Sequence, residues 1–346
     1  MVYNEFICLY GISHNHDKEM NRGLYNVKTI GVLTSGGDSP GMNGAIRAVV
    51  RSGIDKGMRV FGIRRGYNGL IHDDMEEMNL RSVSGIIHRG GTVLYTARSP
   101  EFKTEEGMQT AVENCRRRGI EGIVVIGGDG SYRGARDLSL HGVPCVGVPG
   151  TIDNDIGCSD LTIGFDTAMN TAMDMVDRLR DAAESHDRCA VVEVMGHHSG
   201  WLALYTGIAV GATAILVPEI PFEMEKDVIM RIRASQRTGK QHFIIVVAEG
   251  VGRSDEIMRE IESLTGIESR ITVLGHVQRG GPPTANDRVL ASRMGYHAVE
   301  LLYNGIGNRV VAMKDSKMVD YDILEALQMT KTLDMNLYKM AHDISK

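Results

Sequence analysis

Ile126-Gly-Gly-Asp-Gly-Ser131 ends one short apolar run, residues 123–126, and Pro149-Gly-Thr-Ile-Asp-Asn-Asp155 follows another at 146–148. Apolar runs of this length bounded by glycine read as buried strands of a parallel sheet. In an open α/β sheet the site lies outside the carboxyl ends of the strands, so both loops are expected to open into one crevice. A third loop, Thr34-Ser-Gly-Gly-Asp-Ser-Pro-Gly-Met-Asn43, follows a strand at 29–33 and leads into a helix. Together the three loops supply bare backbone N–H groups, hydroxyls and carboxylates. That is the chemistry of a phosphate and magnesium site.

Outward from this centre, strands and helices alternate. Ala45, Ile46, Val49, Val50 and Ile54 recur at helical spacing and Gly57 closes the helix. Further strands read at 58–63, 190–195, 214–217 and 243–248, and further helices at 108–118, 166–183, 255–264 and 286–303. Met169, Met173, Met175 and Leu179 are expected to face inward as core filler. Repeated βα alternation means an α/β protein with parallel sheets and right-handed crossovers. The 346 residues exceed what one core usually serves, so two domains are expected. Residues 1–27 are polar and without period; they read as an extension, or as a misplaced start with Met20 the true first residue. His14-Asn-His16-Asp17 within them reads as flexible polar terminus, because no further ligand set accompanies it.

Lys plus Arg number 38 against 44 Asp plus Glu, a net charge of −6, which argues against non-specific binding to nucleic acid or an anionic membrane. Cys8, Cys115, Cys145, Cys158 and Cys189 show no CxxC spacing and read as reduced thiols. No apolar run is long enough to span a bilayer, and the N-terminus lacks the basic-then-apolar order of a signal peptide. A soluble cytoplasmic protein is the expectation. The absence of GxxxxGK[ST] excludes a P-loop NTPase on motif, and no GxGxxG opens a helix in the way a nicotinamide site requires.

Gly36 and Gly37 can turn their N–H groups toward a phosphoryl group, with the following helix N-terminus adding a favourable partial charge. In Gly127-Gly128-Asp129-Gly130-Ser131 the glycines make room for polyphosphate, and Asp129 is placed to hold Mg²⁺, which keeps few protein ligands when it binds with phosphates. Thr151, Asp153 and Asp155 occupy alternate positions; on an extended segment they would share one face. One of the two carboxylates is then the general base that takes a proton from an attacking alcohol. The alternative is an acidic turn that caps a helix.

Five segments, LTSGGDSPGMN at 33–43, VVIGGDGS at 124–131, PGTIDND at 149–155, VVEVMG at 191–196 and TVLGHVQRGG at 272–281, resemble those of the ATP-dependent 6-phosphofructokinase family of bacterial type. The resemblance runs from about Thr29 to near Leu327 with the motifs in order. It implies two Rossmann-like three-layer αβα domains with mainly parallel sheets. One, 28–164 plus 278–330, would bind ATP and Mg²⁺; a smaller one, 165–277 plus 331–346, would bind fructose 6-phosphate. Asp153 matches the base that deprotonates the C1 hydroxyl, and Asp129 the magnesium ligand, with Thr151 and Asp155 beside it. Gly37 matches a backbone donor to the transferred phosphoryl and Arg98 a cation near it. Tyr67, Ser99, Gly130 and Ser131 belong with the nucleotide. Met195, Glu249, His276, Arg279, Arg188 and Arg270 match the sugar-phosphate pocket, the last two reaching in from a neighbouring subunit of a homotetramer.

Within the family, pyrophosphate-using enzymes carry aspartate and lysine where this chain has Gly130 and Gly150. An aspartate at 130 would intrude where the nucleotide must lie, so ATP is the expected donor; the pyrophosphate-dependent reaction is the alternative. His197 stands where many relatives have an arginine at the phosphoryl end, with His198 and Arg98 as possible substitutes. It is the one feature that favours a third reading, a non-catalytic sugar-phosphate-binding subunit. Ser99 replaces an aromatic near the adenine, which leaves the choice between ATP and GTP open. Arg47, Arg51 and Arg180 match an allosteric pocket for ADP or phosphoenolpyruvate, whereas Leu80, Thr213 and Thr238 do not.

Overall fold

The computed structural model describes residues 27–345, so the readings placed on the first 26 residues, Met20 and the His14–His16–Asp17 cluster among them, lie outside it. Strand β1 (Thr29–Thr34) is flanked by β2 (Arg59–Ile63) and β4 (Gly122–Gly127), both parallel to it. Beyond β4 come parallel β5 (Cys145–Thr151) and β11 (Arg309–Lys314), and the short β6 (Ile163–Gly164) pairs with the end of β5. Two antiparallel strands close the edges, β3 (Met75–Met78) beside β2 and β12 (Lys317–Asp322) beside β11. The order β12-β11-β5-β4-β1-β2-β3 reverses between β1 and β4. The crevice outside that reversal is where ligands of open α/β sheets bind.

Every residue of β1 and β4 is buried, because both faces of this sheet are covered. Ile30, Val32, Val124 and Ile126 pack on one face against Ala45, Ile46, Val49, Ala291 and Met294 of the helices Met42–Asp55 and Ala285–Tyr303. Leu33, Ile123 and Val125 pack on the other against Ala111, Val112, Ala135 and Leu138 of Glu105–Arg118 and Asp129–Leu140. The alternation of a strand's side chains thus makes three layers.

The second sheet is all parallel, in the order β10-β7-β9-β8, from β7 (Cys189–Val194), β8 (Ala214–Leu216), β9 (Phe243–Ala248) and β10 (Ser269–Val273). Val192 and Val194 face Ala172 and Val176 of the helix Phe165–Ser185, while Val191 faces Ile229, Ile232, Ile257 and Ile261. The helix Met335–Ile344, at the end of the chain, packs back on this second core through Leu337, Tyr338 and Ala341.

The strands and helices read from periodicity are present with boundaries shifted by a few residues, and Gly57, at φ 76°, ends its helix as expected. Two details differ. The helix at 165–185 turns Ala168, Ala172, Val176 and Ala183 fully inward, and the methionines flank that stripe half-buried, because the small side chains let the helix approach the sheet closely. The edge strands β3 and β12, short or rich in charged residues, have no apolar pattern from which they could be read.

Candidate active site

The loops after β1 and β4 are stitched together at the switch point. Ser35 N donates to the Ile126 carbonyl at 2.9 Å, and Ser131 Oγ to the Ser35 carbonyl at 3.0 Å. A Cβ on Gly127 would stand 2.4 Å from both Ser131 Oγ and Ser35 O, so only glycine fits this crossing. The helices Met42–Asp55 and Asp129–Leu140 both start here, at Gly41 and Gly128, and neither has a side-chain cap. Backbone carbonyls take some of the first N–H groups, Met42 N donating to Ser39 O at 3.3 Å, Gly44 N to Gly41 O at 2.8 Å and Ser131 N to Gly128 O at 2.9 Å. No side chain competes with an anion for the rest. Asp129 and Gly130 form the exposed first turn of the second helix, and the space beside Gly130 is open.

Tyr67 lies beneath this turn. Its ring is buried, stacks on Phe102 at 4.1 Å between centroids, and its hydroxyl donates to the Ser131 carbonyl. Ser131 itself is 3% exposed. Tyr67 and Ser131, both read from the sequence as nucleotide residues, thus brace the turn at 128–130 from behind. Ser99 Oγ donates to Asn68 Oδ1 at 3.1 Å, and Arg98 projects into solvent.

The acidic segment does not continue extended past β5. Asn154, 2% exposed, takes φ 49°, so Thr151, Asp153 and Asp155 do not share the single face of a strand. Asparagine tolerates this left-handed conformation better than most residues. The turn is fastened by Thr162 Oγ1 to the Thr151 carbonyl at 2.7 Å, and Ser199 Oγ to the Asp153 carbonyl at 3.0 Å. Burial pushes the Asp153 carboxyl above the usual aspartate range; Arg279, a hydrogen bond with Thr151 and His197 pull it down, and Glu249 pushes it up. Asp155 is raised by burial and then by Asp153, and Asp129 by burial and then by Asp155. Asp155 thus lies within electrostatic reach of both Asp153 and Asp129, and like charges so placed gain from a cation between them. Among the described residues no three His, Cys, Asp or Glu side chains gather as a metal cage. The donor set suits Mg²⁺ held by one or two carboxylates with substrate phosphates completing its shell.

The ends of the second sheet face these loops. Met195 follows β7, and its N–H donates to Gln278 Oε1 at 3.3 Å; Gln278 is fully buried and donates to the Gly275 carbonyl at 3.0 Å. Glu249 follows β9 and accepts from the N–H groups of Gly196 at 3.2 Å and His197 at 2.6 Å. His197 takes φ 54° and its ring lies 4.0 Å from that of His198. His276 and Arg279 sit in the turn Gly275–Arg279 beyond β10, His276 exposed. Arg279 reaches across to the first sheet: its Nη2 would be 3.3 Å from a Cβ at Gly37. Its buried Nε has no hydrogen-bond partner. That arrangement leaves a cation with spare donors between Gly37 and Asp153.

Two of the sequence-derived residues stay apart. Arg188 precedes β7 and Arg270 lies near the start of β10, paired in register with Ala190, so both sit at the amino ends of strands whose carboxyl ends carry Met195 and His276. At about 3.3 Å per residue that is about 20 Å away. There both arginines pair with Glu268, Arg188 Nε at 2.9 Å. At the other pocket read from the sequence, Lys240 Nζ lies 3.4 Å from Thr213 Oγ1 and close enough to Arg180 for the two cations to repel, a cation that the sequence reading had not included.

Sequence reasoning also passed over Lys331. It donates to the carbonyls of Ser159 and Asp160 at 2.8 Å each and lies 5.2 Å from the Trp201 ring centroid, tying the acidic loop to the second sheet's side. Burial lowers its ammonium to about 8, against the pull of Asp160 and Asp155. A lysine in a polar connecting stretch carries no local signal of such a place.

A family profile described as Phosphofructokinase matches residues 29–302. The ATP-dependent 6-phosphofructokinases of Bacillus velezensis and Bacillus subtilis are each 56% identical over 319 residues, 92% of this chain and the whole of each relative. Among solved structures, a phosphofructokinase from Saccharomyces cerevisiae superposes with a TM-score of 0.83 at 35% identity. That match covers 92% of this chain and 48% of that one, so the chain spans about half the yeast subunit. A pyrophosphate-dependent phosphofructokinase from Marinobacter aquaeolei shares the fold, with a TM-score of 0.80 at 22% identity over 90% of this chain and 86% of that one.

Proposed function

The chain belongs to the phosphofructokinase family, and from that premise we infer an ATP-dependent 6-phosphofructokinase. It transfers the γ-phosphoryl of ATP to the C1 hydroxyl of fructose 6-phosphate, giving fructose 1,6-bisphosphate and ADP, a committed step of glycolysis in the cytoplasm. The observation that carries this reading is the meeting of Asp153, on a loop of the first sheet, with Arg279, on a turn of the second, at the edge of Gly37.

Asp153 is the base: raised above an ordinary aspartate, it is better matched to accept a hydroxyl proton near neutral pH. Thr151 orients it through its hydrogen bond. Gly37 and the first turns of the two uncapped helices offer N–H groups to the phosphates. Arg279 and Arg98 supply positive charge as the phosphoryl moves, with His276, Met195 and Glu249 placing the sugar. Asp129 and Asp155 are the residues that would hold Mg²⁺, which when bound neutralises phosphate charge. The two sheets support a division into a nucleotide domain, 28–164 with 278–330, and a sugar domain, 165–277 with 331–346. Arg188 and Arg270 complete the sugar-phosphate pocket of a neighbouring copy, which makes the working form an oligomer, a homotetramer on the family pattern. Their distance from their own chain's Met195 supports that reading.

The test is product formation from fructose 6-phosphate and Mg²⁺ with ATP, GTP or pyrophosphate in parallel. Fructose 1,6-bisphosphate with ATP and none with pyrophosphate is expected. Product with pyrophosphate would overturn the donor assignment, and no product with any donor would overturn the kinase reading in favour of a binding subunit.

A further inference from the structure

The helices at 165–185 and 285–303 begin side by side, and a residue of the second caps the first. The first starts at Gly164 without a side-chain cap of its own. Asp287, 1% exposed, takes that role from the second helix: it accepts from Gly164 N and Thr167 N at 2.8 Å each and from Thr167 Oγ1 at 2.5 Å. In return Asp166 accepts from Thr284 Oγ1 at 2.5 Å and Asn286 Nδ2 at 3.3 Å. Thr284 N donates to Thr167 Oγ1 at 3.0 Å, and Asp287 N to Thr284 Oγ1 at 3.3 Å.

Three segments of the site converge on this clasp. Residues 151–164, which carry Thr151, Asp153 and Asp155, end at Gly164, and residues 275–284, which carry His276 and Arg279, end at Thr284. The loop that carries Gly37 packs on both: a Cβ at Gly41 would stand 2.7 Å from Ile163 and 3.5 Å from the Asp287 Cβ, and one at Gly164 2.6 Å from Ser39. Packing this close passes a displacement of one segment to the others.

We propose that Asp287 is a positioning residue for phosphoryl transfer. By holding Gly164 and Thr167 against Thr284, it fixes the register in which Arg279 faces Asp153 and Gly37. It touches no reacting atom. The proposal rests on the kinase reading. Asparagine at 287 keeps the shape but turns an NH₂ group toward donors, and valine at 167 removes one hydroxyl from the clasp.

The experiment compares full-length wild type, Asp287→Asn, Thr167→Val and Thr167→Ser. Each is assayed for kcat and both KM values with ATP and fructose 6-phosphate, for Tm, and for emission of the single tryptophan, Trp201, in the free protein. Trp201 packs in one cluster with Phe165, the first residue of the capped helix. Expected for Asp287→Asn and Thr167→Val is a loss of about 10- to 100-fold in kcat well below Tm, the size of effect that a misplaced catalytic group produces. The KM for ATP should stay within about twofold and Trp201 emission should shift; Thr167→Ser should restore both kcat and emission. Unchanged kcat with a lowered Tm in the first two variants, or an equal loss in Thr167→Ser, would overturn the proposal. Should Asp287→Asn fail to fold, the Thr167 pair decides alone. An inactive wild type would sink the kinase reading instead, while the emission shift still reports on the clasp.

Discussion

The Arg279 guanidinium lies against Gly37, with Nη2 3.3 Å from where a side chain at that position would begin. A residue beyond the last strand of the second sheet is thereby seated on the loop that follows the strand Thr29–Thr34 of the first. Gly37→Ala should fold, because only the end of a flexible side chain must give way, yet displace the guanidinium. The expected loss is about 10- to 100-fold in kcat/KM for fructose 6-phosphate. Unchanged kinetics in Gly37→Ala would show that Arg279 does not act from this place.

Asp153→Asn removes the base and should lower kcat about 10²–10⁴-fold with little change in KM for fructose 6-phosphate. Because burial raises the Asp153 carboxyl, the wild-type rate should fall on the acid side at a pH above the ordinary aspartate range. The residual rate of the asparagine variant should lack that limb. A pH–rate profile of kcat for both enzymes checks it, and an identical acid limb in the two would assign that titration elsewhere.

Gly130 and Gly150, the two glycines from which ATP was read as donor, differ in their surroundings. Gly130 faces open space, so Gly130→Asp should keep the wild-type Tm while its KM for ATP rises at least about tenfold, through a carboxylate set where phosphates lie. At Gly150 a Cβ would meet Ile126 at 3.0 Å and Met42 at 3.1 Å. Gly150→Lys should therefore cost about 1–3 kcal/mol as an overpacked strand, read from urea midpoints. Equal stability in the two variants would contradict this difference.

Asp287 gives a stability prediction with a definite sign. Burial raises its carboxyl from 3.8 to about 6, against the pull of Thr167 and the Gly164 N–H. The folded chain then holds this proton more tightly than the unfolded one. The stabilising contribution is complete below about pH 4 and is lost as pH rises through about 6, a change of about 3 kcal/mol at most. Urea unfolding of wild type and Asp287→Asn between about pH 4.5 and 7.5 should show the difference, wild type minus variant, declining as pH rises. A difference that is flat with pH would place the Asp287 titration in the ordinary range.

The proposed sharing of sites between subunits predicts complementation. Arg270→Ala and Asp153→Asn should each be nearly inactive, but refolded together they should recover about a quarter of wild-type sites by random assembly. No recovery, with mixed oligomers demonstrated by mass, would confine each site to one chain.

Much of this was legible in the chain because the central strands are buried on both faces: Gly122–Gly127 and Phe243–Ala248 are apolar throughout and need no partner to be recognised. Asp129 and Asp153 stood out for the same reason, as carboxylates at the ends of such runs. The spacing of Thr151, Asp153 and Asp155 misled, since the left-handed turn at Asn154 is a choice that its neighbours make. Tyr67 gave no sign of its burial, which depends on Phe102 and on the helix start above it. Asp287 reads as an ordinary acidic residue in the first turn of a helix, and its solvent is excluded by a helix start distant in the chain. Nothing nearby in sequence encodes such meetings.

Glu268 pairs with both Arg188 and Arg270. A ligand that recruits them across an oligomer contact must outbid a single carboxylate. A phosphate near neutral pH carries close to two negative charges and three acceptor oxygens, and it can do so. A neutral hexose offers hydroxyls only and leaves the ion pairs closed. On the proposed reading, the pairing discriminates against unphosphorylated sugar at the subunit boundary.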